Sequence, residues 1–426
     1  MSGAGTQHRD SSDAGTDHDR CHCAGGAGVL THRRTAQHPP DRAHRPRLRS
    51  RGALMSTAGM LATAEIRRGR GRFAAVVSAL SLIVFLVLIL GSLADGLFFG
   101  ATGAVRSTTA NAYGFSNDAE GSLIRSRLDI SDVERFAAAP GVEAAGPVGV
   151  LLTGGVGPEG ELDLAVFGID VGGPGTPTTL VDGRLPDPGE IGVAAADSQL
   201  QRFGVEIGTT VAVGGESAEI VGIVTDSSYQ LQPTIWTSVD TWRAMRDAVR
   251  PELRGQPSSI NSVAMIVAGD ADLTAIAASI PDTTVLTAEA TGLAIPGVEQ
   301  QASTLNSIIY TTLAVAALVV ALFFALLVLE KRELFAALKA LGTPTSRLGV
   351  AVIVQALVSS ALGVVIGTIV ARGFGLLIPA DVPTLFRTDT LITIAVFTLV
   401  AGFVGAVFSL RRIARIDPAT AIGGAL

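Results

Sequence analysis

The chain has 426 residues, of which 48% are hydrophobic and 16% charged, and its mean hydropathy is +0.45. This composition excludes an ordinary soluble domain, and the length leaves room for a membrane part together with a second domain. The formal net charge of −6 conceals an uneven distribution, so the charges must be read segment by segment.

Residues 1–54 contain all six histidines and both cysteines of the chain. They show no apolar periodicity and cannot bury enough surface to offset their ordering entropy, which predicts disorder. The Cys21-His22-Cys23 cluster has no second ligand pair and matches no structural zinc spacing, so we expect no metal and no cofactor. The segment lacks the apolar core of a signal peptide, and we expect Met55 to be the true start.

Four stretches are uncharged over 21 to 24 residues, the length that crosses a hydrocarbon core of about 30 Å. The first follows a short cytoplasmic amphipathic segment within residues 55–93. The predicted membrane spans are 73–93, 308–329, 348–371 and 390–410.

Arginine and lysine in the short flanks predict the orientation. Basic residues precede span one, separate spans two and three, and follow span four in the tail 411–426: Arg67, Arg68, Arg70, Arg72; Lys331, Arg332, Lys339, Arg347; Arg411, Arg412, Arg415. In the loop 372–389 the basic residues are offset by an equal number of acidic residues. Residues 94–307 hold 27 acidic and 10 basic residues, a net charge of −17. We therefore expect a multi-pass cell-membrane protein with both termini in the cytoplasm and residues 94–307 outside.

The segment 94–307 is long enough for a domain with its own core and has mixed α and β patterns. Alternating apolar residues flank Gly214-Gly215, which predicts a β-hairpin with a two-residue turn. Helical spacing begins after Ser131 and after Ser238, and either serine could cap its helix. The predicted fold class is membrane α-helical, with four transmembrane helices and an α+β extracytoplasmic domain inserted between helices 1 and 2.

No catalytic residue is predicted. Residues 55–426 contain neither histidine nor cysteine, so nucleophile–base pairs of those types are excluded there. Asp182, Asp187 and Glu190 lie in Pro/Gly-rich turns, where solvated turn residues are the expectation. The only lysines, Lys331 and Lys339, do not follow a glycine, so a P-loop is excluded and ATP hydrolysis would need another polypeptide.

Residues 330–347, EKRELFAALKALGTPTSR, predict a short amphipathic helix between spans two and three. Its apolar stripe consists of Leu334, Leu338 and Leu341, with Phe335 beside it. Gly342 can end the helix and Pro344 prevents its continuation. From the spacing alone, this helix either rests on the inner membrane surface or docks its stripe into a groove of a partner protein.

This segment, continued by LGVAVIVQALVSSALGVVIG, resembles the signature of FtsX-like permeases, and the C-terminal AGFVGAVFSLRRIARIDPATAI is similar to the usual ending of that family. The stretch VDGRLPDPGEIGVAAADSQLQRFGVEIGTTVAV resembles the periplasmic core domain of MacB-like ABC transporter permeases. Thr343-Pro344 departs from the small and polar residues usual after the "ALG", and residues 225–300 show no alignable motif.

The resemblance implies a homodimeric permease bound to two copies of a separate ABC ATPase subunit through the 330–347 helix. The residues it implies for ATPase coupling are Glu330, Leu334, Phe335, Leu338, Leu341 and Gly342. It also implies mechanotransmission, in which closure of the ATPase moves the outer domains.

Small residues spaced for close helix packing occur in spans three and four, as Gly363 and Gly367 and as Ala401 and Gly405. They could pack spans within one chain or between two copies. Two functions fit the resemblance: export or extraction of a lipid, peptide, drug or lipoprotein, and a non-transporting relay that activates a cell-wall hydrolase, with a possible extracytoplasmic partner protein. The large outer segment favours transport.

Overall fold

The computed structural model describes residues 70–256, 258–379 and 382–414, so the predictions for residues 1–54 and for the tail beyond residue 414 lie outside the described residues. Within these ranges, nine α-helices and twelve strands are present. The helices are α1 (Arg70–Arg106), α2 (Asp132–Ala137), α3 (Val239–Val249), α4 (Leu273–Ala278), α5 (Ala288–Leu293), α6 (Val298–Glu330), α7 (Arg332–Ala340), α8 (Thr345–Gly375) and α9 (Thr388–Ala414).

All strands lie in the domain inserted between α1 and α6. They are β1 (Ala112–Ser116), β2 (Leu128–Asp129), β3 (Val142–Gly157), β4 (Gly160–Ile169), β5 (Leu180–Gly183), β6 (Val193–Asp197), β7 (Thr210–Val213), β8 (Glu216–Val224), β9 (Thr234–Ser238), β10 (Ser259–Ile260), β11 (Ser262–Val267) and β12 (Thr283–Thr287). Ten strands form one sheet in the order β12-β1-β11-β3-β4-β9-β6-β8-β5 with β7 attached to β3 and β8, and β2 pairs with β10.

Helices α1, α6, α8 and α9 are long and apolar enough to cross a membrane, which confirms the four predicted spans. In the bundle, α1 packs against α8 and α6, and α9 packs against α6 and α8. The glycines among the predicted small residues of α8 and α9 lie at these contacts within one chain. A Cβ on Gly363 would stand 2.7 Å from Leu80 of α1, and one on Gly405 would stand 3.0 Å from Ala321 of α6. Gly367 also faces α1, and Ala401 is half-buried.

The sheet of the inserted domain carries a hydrophobic core on each face because successive side chains of a strand point to opposite sides. On β1, Tyr113 and Phe115 face the end of α1, whereas Ala112 faces the core beneath α2 and α4. Gly114 lies under the ring of Phe136, leaving no space for a side chain there. The first membrane helix therefore supplies part of a core of the inserted domain.

Six strands of the sheet close into a ring. Successive pairs join β3, β4, β9, β6, β8 and β7, and β7 returns to β3 through the pair Val156–Ala212. The interior is filled by apolar side chains, including Leu164, Ile220 and Trp242 of α3. The predicted hairpin of this ring is confirmed, since Val213 pairs with Glu216 across Gly214 and Gly215.

Of the two predicted serine caps, one is confirmed and one is wrong. The hydroxyl of Ser238 accepts a hydrogen bond from the backbone N–H of Thr241 at the start of α3. Ser131 makes no such bond at the start of α2, because its backbone is already helical (φ −65°, ψ −20°). There the carboxylate of Asp129 accepts from the N–H of Ser131, and that of Asp132 accepts from the N–H of Asp129.

The contact of β4 with α3 gives a prediction for stability. A Cβ on Gly168 would lie 2.4 Å from the Cβ of Trp242, so Gly168→Ala overpacks the ring and should destabilise the domain by about 1–3 kcal/mol. Both tryptophans of the chain are buried in this domain, so thermal unfolding of the full chain followed by tryptophan fluorescence should show a lower Tm. Gly255→Ala, where a Cβ meets no atom within 4 Å, is the control, and equal Tm values for both variants would contradict the packing described.

Candidate coupling regions at the two ends of the membrane bundle

Helices α1 and α6 both extend beyond their predicted spans on the side of the inserted domain. Helix α1 has 37 residues, and at about 1.5 Å per residue it measures roughly 55 Å, well beyond the approximately 30 Å of a hydrocarbon core. Its last turns contribute Ala101, Ala104 and Val105 to the same core that receives Val298 from the start of α6. The predicted boundary at residue 94 is therefore not a structural break, because the helix continues for thirteen residues to Arg106.

The loop between β8 and β9, residues 225–233, is attached to the backbone of α1. Three main-chain hydrogen bonds join them, from Ala104 to Ser228 (2.9 Å), from Gln230 to Ala101 (3.0 Å) and from Leu231 to Gly100 (3.1 Å). Such bonds require main chains to touch, and a Cβ on Gly103 would stand 2.7 Å from the carbonyl oxygen of Asp226. Glycine at position 103 is what permits this approach.

A buried polar chain anchors the same loop to the ring. The Asp197 carboxylate accepts from the hydroxyl of Ser227 at 2.6 Å and from the backbone N–H of Gln199 at 2.8 Å. The Ser227 hydroxyl also lies 2.8 Å from that of Thr234, which accepts from the indole N–H of Trp236. Burial raises the pKa of Asp197, although these hydrogen bonds act in the opposite direction. The polar groups satisfy one another, so the loop is held in a defined place.

The segment between α8 and α9 lies against the same helix. The backbone N–H of Leu385 donates to the carbonyl of Ser92 at 2.8 Å, and next to this segment the hydroxyl of Thr390, in the first turn of α9, donates to the carboxylate of Asp95. A Cβ on Gly96 would stand 2.0 Å from the carbonyl oxygen of Pro383, so only glycine fits there. At this end of the bundle, α1 is fixed to the inserted domain and to the α8–α9 segment.

Within the stretch that resembles the MacB-like core domain, residues 183–191 (GRLPDPGEI) form one closed turn. The guanidinium of Arg184 donates to both carboxylate oxygens of Glu190, at 2.8 and 2.9 Å. This contact lowers the pKa of Glu190 to about 2. Asp182 and Asp187 are exposed beside it, Asp182 at the end of β5 and Asp187 in the turn, where it lies 3.4 Å from the guanidinium of Arg184. The turn shapes the edge of the sheet, where β5 pairs with β8.

At the other end of the bundle, α7 is a separate short helix. Its range, Arg332–Ala340, is narrower than the predicted 330–347, because Lys331 leaves helical geometry after Glu330 and Gly342 ends the helix. Gly342 has φ 86°, its N–H donates to Lys339, and the N–H of Thr343 donates to Leu338. This hydrogen-bond pattern is the Schellman motif, which confirms the predicted glycine cap.

The apolar side chains of α7 and of Leu341, which follows its last residue, face two directions: the predicted stripe is exposed at Leu334 and Leu341 and half-buried at Leu338. Phe335 is 5% exposed and packs among Val328, Leu348 and other bundle residues, and Leu338 is half-buried against the same cluster. Leu334 and Leu341 are 50% and 82% exposed. The difference arises because α7 folds back against α6 and α8, which the helical periodicity cannot show.

Over residues 70–256, 258–379 and 382–414, no group of three or more His, Cys, Asp or Glu side chains is placed to hold a metal ion. The described acidic residues of the inserted domain that show hydrogen bonds serve capping, turns or ion pairs, as Asp197, Asp272 and Glu190 do.

Sequence reasoning missed the junction residues Gly96, Gly103 and Asp197. One sequence signal could have indicated the α1 side of this junction. It is the recurrence of Gly91, Gly96, Gly100 and Gly103, because glycines that recur in an apolar helix allow another backbone to come close. The partner segments, 225–233 and 382–385, carry no periodic pattern and could not be assigned to α1 from the sequence.

Comparisons with known proteins agree with this architecture. The FtsX-like permease C-terminal family model matches residues 306–418, and the MacB-like periplasmic core domain model matches residues 73–283. An uncharacterised ABC transporter permease of Mycobacterium tuberculosis is 30% identical over 362 residues, which cover 83% of this chain and 96% of that protein. Another uncharacterised ABC transporter permease, from Mycobacterium bovis, is 26% identical over 368 residues, which cover 84% of this chain and 98% of that protein.

Among solved structures, the periplasmic region of MacB from Actinobacillus actinomycetemcomitans is 17% identical and covers 44% of this chain and 92% of its own. The TM-score of 0.33 is too low to bear on the fold. The sequence relationships are sufficient by themselves to assign the family. The chain belongs to the family of FtsX-like and MacB-like ABC transporter permeases, and it is a multi-pass membrane protein with an extracytoplasmic α+β domain.

The attachment of α1 to the inserted domain gives a second prediction. Gly103→Ala places a methyl group against the carbonyls of Asp226 and Ser228, which should push the 225–233 loop away from α1. Hydrogen exchange of the full chain in detergent should then show faster exchange of the loop amides. Gly373→Ala is the control, since it is also a helix glycine but meets no atom within 4 Å. Unchanged protection of the loop in Gly103→Ala would show that the contact is not structurally important.

Proposed function

We propose that this chain is the permease subunit of an ABC transporter that exports or extracts a lipid, peptide, drug or lipoprotein by mechanotransmission. The single observation that carries the proposal is the continuity of α1 and α6, which run from the membrane bundle into a core of the inserted domain. Movement of the bundle would thereby move the inserted domain without a channel across the bilayer.

In this proposal a separate ABC ATPase subunit docks on α7 from the cytoplasm and supplies the energy. The exposed leucines Leu334 and Leu341 form the apolar contact, while Phe335 and Leu338 tie α7 to the bundle. Glu330 ends α6 just before α7, and Gly342 follows α7 shortly before α8 begins. Because these connections are short, a displacement of α7 would be transmitted directly to α6 and α8. The homodimer that completes the transporter is supported by the family resemblance.

The orientation of the proposal follows from charge. Arginine and lysine surround α7, whereas residues 94–307 carry a net charge of −17. Basic flanks stay on the cytoplasmic side of a membrane during insertion. Both termini and α7 are therefore placed in the cytoplasm, and the inserted domain is placed outside.

The docking role of α7 is tested by Leu341→Glu. If Leu341 enters an apolar groove of the ATPase, a buried unpaired carboxylate should cost several kcal/mol and abolish a typical interface. We expect normal expression and membrane insertion of the variant, with loss of ATPase co-purification. Leu341 is a sharper test than Leu338, because Leu338 also packs against the bundle of its own chain.

The matched control is Leu376→Glu, a change of an 88% exposed leucine just beyond the far end of α8. This variant should retain the ATPase. Normal co-purification of the ATPase with Leu341→Glu, and likewise with Leu334→Glu, would reject α7 as the docking element and would favour a helix that only rests on lipid.

The orientation is tested with single cysteines. After Cys21 and Cys23 are replaced by serine, a cysteine at position 182 should react with an impermeant thiol reagent in intact cells, and one at position 339 should react only after lysis. Asp182 is exposed and Lys339 half-buried in the structure, so lysed cells provide the labelling reference for each position. Equal labelling of both positions in intact cells would refute the topology.

A further inference from the structure

The loop 225–233, which attaches the ring of strands to α1, is fastened to the ring through a buried carboxylate. Asp197 precedes the short helix Ser198–Phe203 and is fully buried. One of its oxygens accepts from the hydroxyl of Ser227 at 2.6 Å and from the backbone N–H of Ser227 at 3.2 Å. The other accepts from the N–H of Gln199 at 2.8 Å. All three donors are neutral, so the contact itself supplies no counter-charge.

In the described part of the chain, the strands and the loop packed around Asp197 bring no opposite charge to it. The neighbouring strand β8 pairs Val224 with Asp197, and β9 contributes Thr234. The loop brings Tyr229, whose pKa is raised by burial so that it stays neutral, and Asp226, which is a like charge. Burial, and to a smaller extent the charge of Asp226, raise the pKa of Asp197.

Two arginines lie on adjoining elements without neutralising Asp197. Arg202, in the short helix, is exposed, and its guanidinium lies 5.1 Å from the ring centroid of Phe203. Arg106, at the end of α1, is a cation that acts on Asp226. The pKa of Asp197 is set by burial on one side and by its hydrogen bonds on the other. Burial of the ionised group therefore has a cost that neither arginine offsets.

The part of the loop that touches α1 is a strained turn. Two backbone hydrogen bonds of 2.9 and 3.0 Å join Tyr229 and Gln232, so Gln230 and Leu231 are the central residues. Both have positive φ, 52° and 67°, as in type I′ turns, where asparagine and glycine are favoured. The side-chain oxygen of Gln232 is buried and accepts no hydrogen bond from the described residues. The attached loop thus has backbone and polar costs in addition to the buried charge.

Release of the loop would leave few unpaired groups in α1. The N–H of Leu231 donates to the carbonyl of Gly100. The N–H of Ala104 donates to the carbonyl of Ser228. Gly100 and Ala104 are four residues apart, and in a regular α-helix this carbonyl and this N–H bond to each other. When the loop leaves, the helix can therefore satisfy both groups by itself.

A cleft of about 530 Å³ gives water a route to the buried carboxylate. It lies between the inserted domain and the membrane bundle, and the loop lines it with Asp226 and Leu231. Ser198 and Gln199, the two residues that follow Asp197, line it as well. A small displacement of the loop would hydrate Asp197 and remove the cost of its burial.

We propose that the loop 225–233 is a pH-dependent latch between α1 and the inserted domain. In the closed latch the loop is bonded to α1 and Asp197 is buried; in the open latch the loop has left α1 and water reaches the carboxylate. A proton on Asp197 favours the closed latch, and ionisation favours the open one. Acidification on the side of the inserted domain thus fastens this domain more firmly to α1. The latch is a property of this chain alone and does not rest on the proposed function.

A proton binds more tightly to Asp197 in the closed latch than in the open one. In the open latch the carboxyl has its ordinary pKa of about 3.9, whereas burial raises the pKa in the closed latch. The closed latch is therefore most stable below the ordinary pKa. It loses stability as the pH rises through the raised pKa, and above that value its stability is constant. Within this window the opening equilibrium changes by up to about tenfold per pH unit.

Hydrogen exchange of the purified full chain in detergent, from about pH 4 to about pH 8, tests the latch. The rates are corrected for the intrinsic pH dependence of amide exchange, measured on the unfolded chain. The amides of Gln230 and Leu231 report on the latch because they bond to α1. We expect their protection to fall as the pH rises, by up to about tenfold per unit, and then to level off. Protection of β4, inside the ring, should not follow this change.

Three variants separate titration of Asp197 from a purely structural role. Asp197→Asn removes the titrating group and should abolish the pH dependence of loop protection, whatever its level. Asp226→Asn removes the like charge and should move the transition to lower pH. Ser227→Ala removes a donor to the ionised carboxylate and should move the transition to higher pH. A structural defect alone would not shift the transition in opposite directions.

The matched control is Asp272→Asn. Asp272 also caps a helix, α4, by accepting from the N–H groups of Thr274 and Ala275, but it is exposed. This variant should keep the pH dependence of the parent chain. Leu341→Glu should keep it as well, so loss of ATPase docking and loss of the latch are distinguishable results.

Protection of the loop that is independent of pH in the parent chain, or that falls as the pH falls, would overturn the proposal. An unchanged pH dependence in Asp197→Asn would overturn it too. If Asp197→Asn does not fold, the other two variants decide, since shifts that are absent or in the same direction reject Asp197 as the titrating group.

Discussion

The structure depends on the attachment of one helix, α1, to main chain from two other parts of the molecule. Backbone carbonyls and N–H groups of α1 bond to the 225–233 loop, and the carbonyl of Ser92 accepts from Leu385. These contacts require close approach of main chains, which Gly96 and Gly103 allow because they have no Cβ. A side chain at either position would clash with the main chain of the facing segment.

This attachment belongs to a series of packed contacts that connects α7 with the inserted domain. Within the bundle, Gly363 and Gly367 of α8 bring that helix against α1, and α7 is packed on the bundle through Phe335. Beyond the bundle, the end of α1 enters the core that contains Tyr113 and Trp236 of the inserted domain. Close-packed interiors transmit displacement because they have little free volume. A shift at α7 thus has a packed route to the inserted domain.

The same constraint creates the cleft. The loop must turn sharply to lay its backbone on α1, and the turn places Leu231 in left-handed geometry with its side chain half exposed. The buried contact of Asp197 with Ser227 holds the other side of the turn. Attachment and cleft therefore have one structural cause.

Elements with a strong local signal could be predicted from the sequence. The four spans needed only length and the absence of charge, and the Gly214-Gly215 turn and the Gly342 cap needed only residues that accept positive φ. The cap at Ser131 could not be judged in the same way, because Asp129 and Asp132 satisfy the neighbouring N–H groups and leave the serine backbone helical. Local competition between hydrogen-bond acceptors decided that case.

By itself, the sequence determined the membrane class of this protein, the family to which its motifs point, and the order of its spans, since each follows from short-range composition or spacing. Only the tertiary structure decided which face of α7 is buried, that Gly363 and Gly367 pack within one chain, and that the 225–233 loop attaches to α1. These features depend on contacts between residues far apart in the chain. Such contacts leave no periodic trace in either partner, so they become visible only when the packed structure brings the partners together.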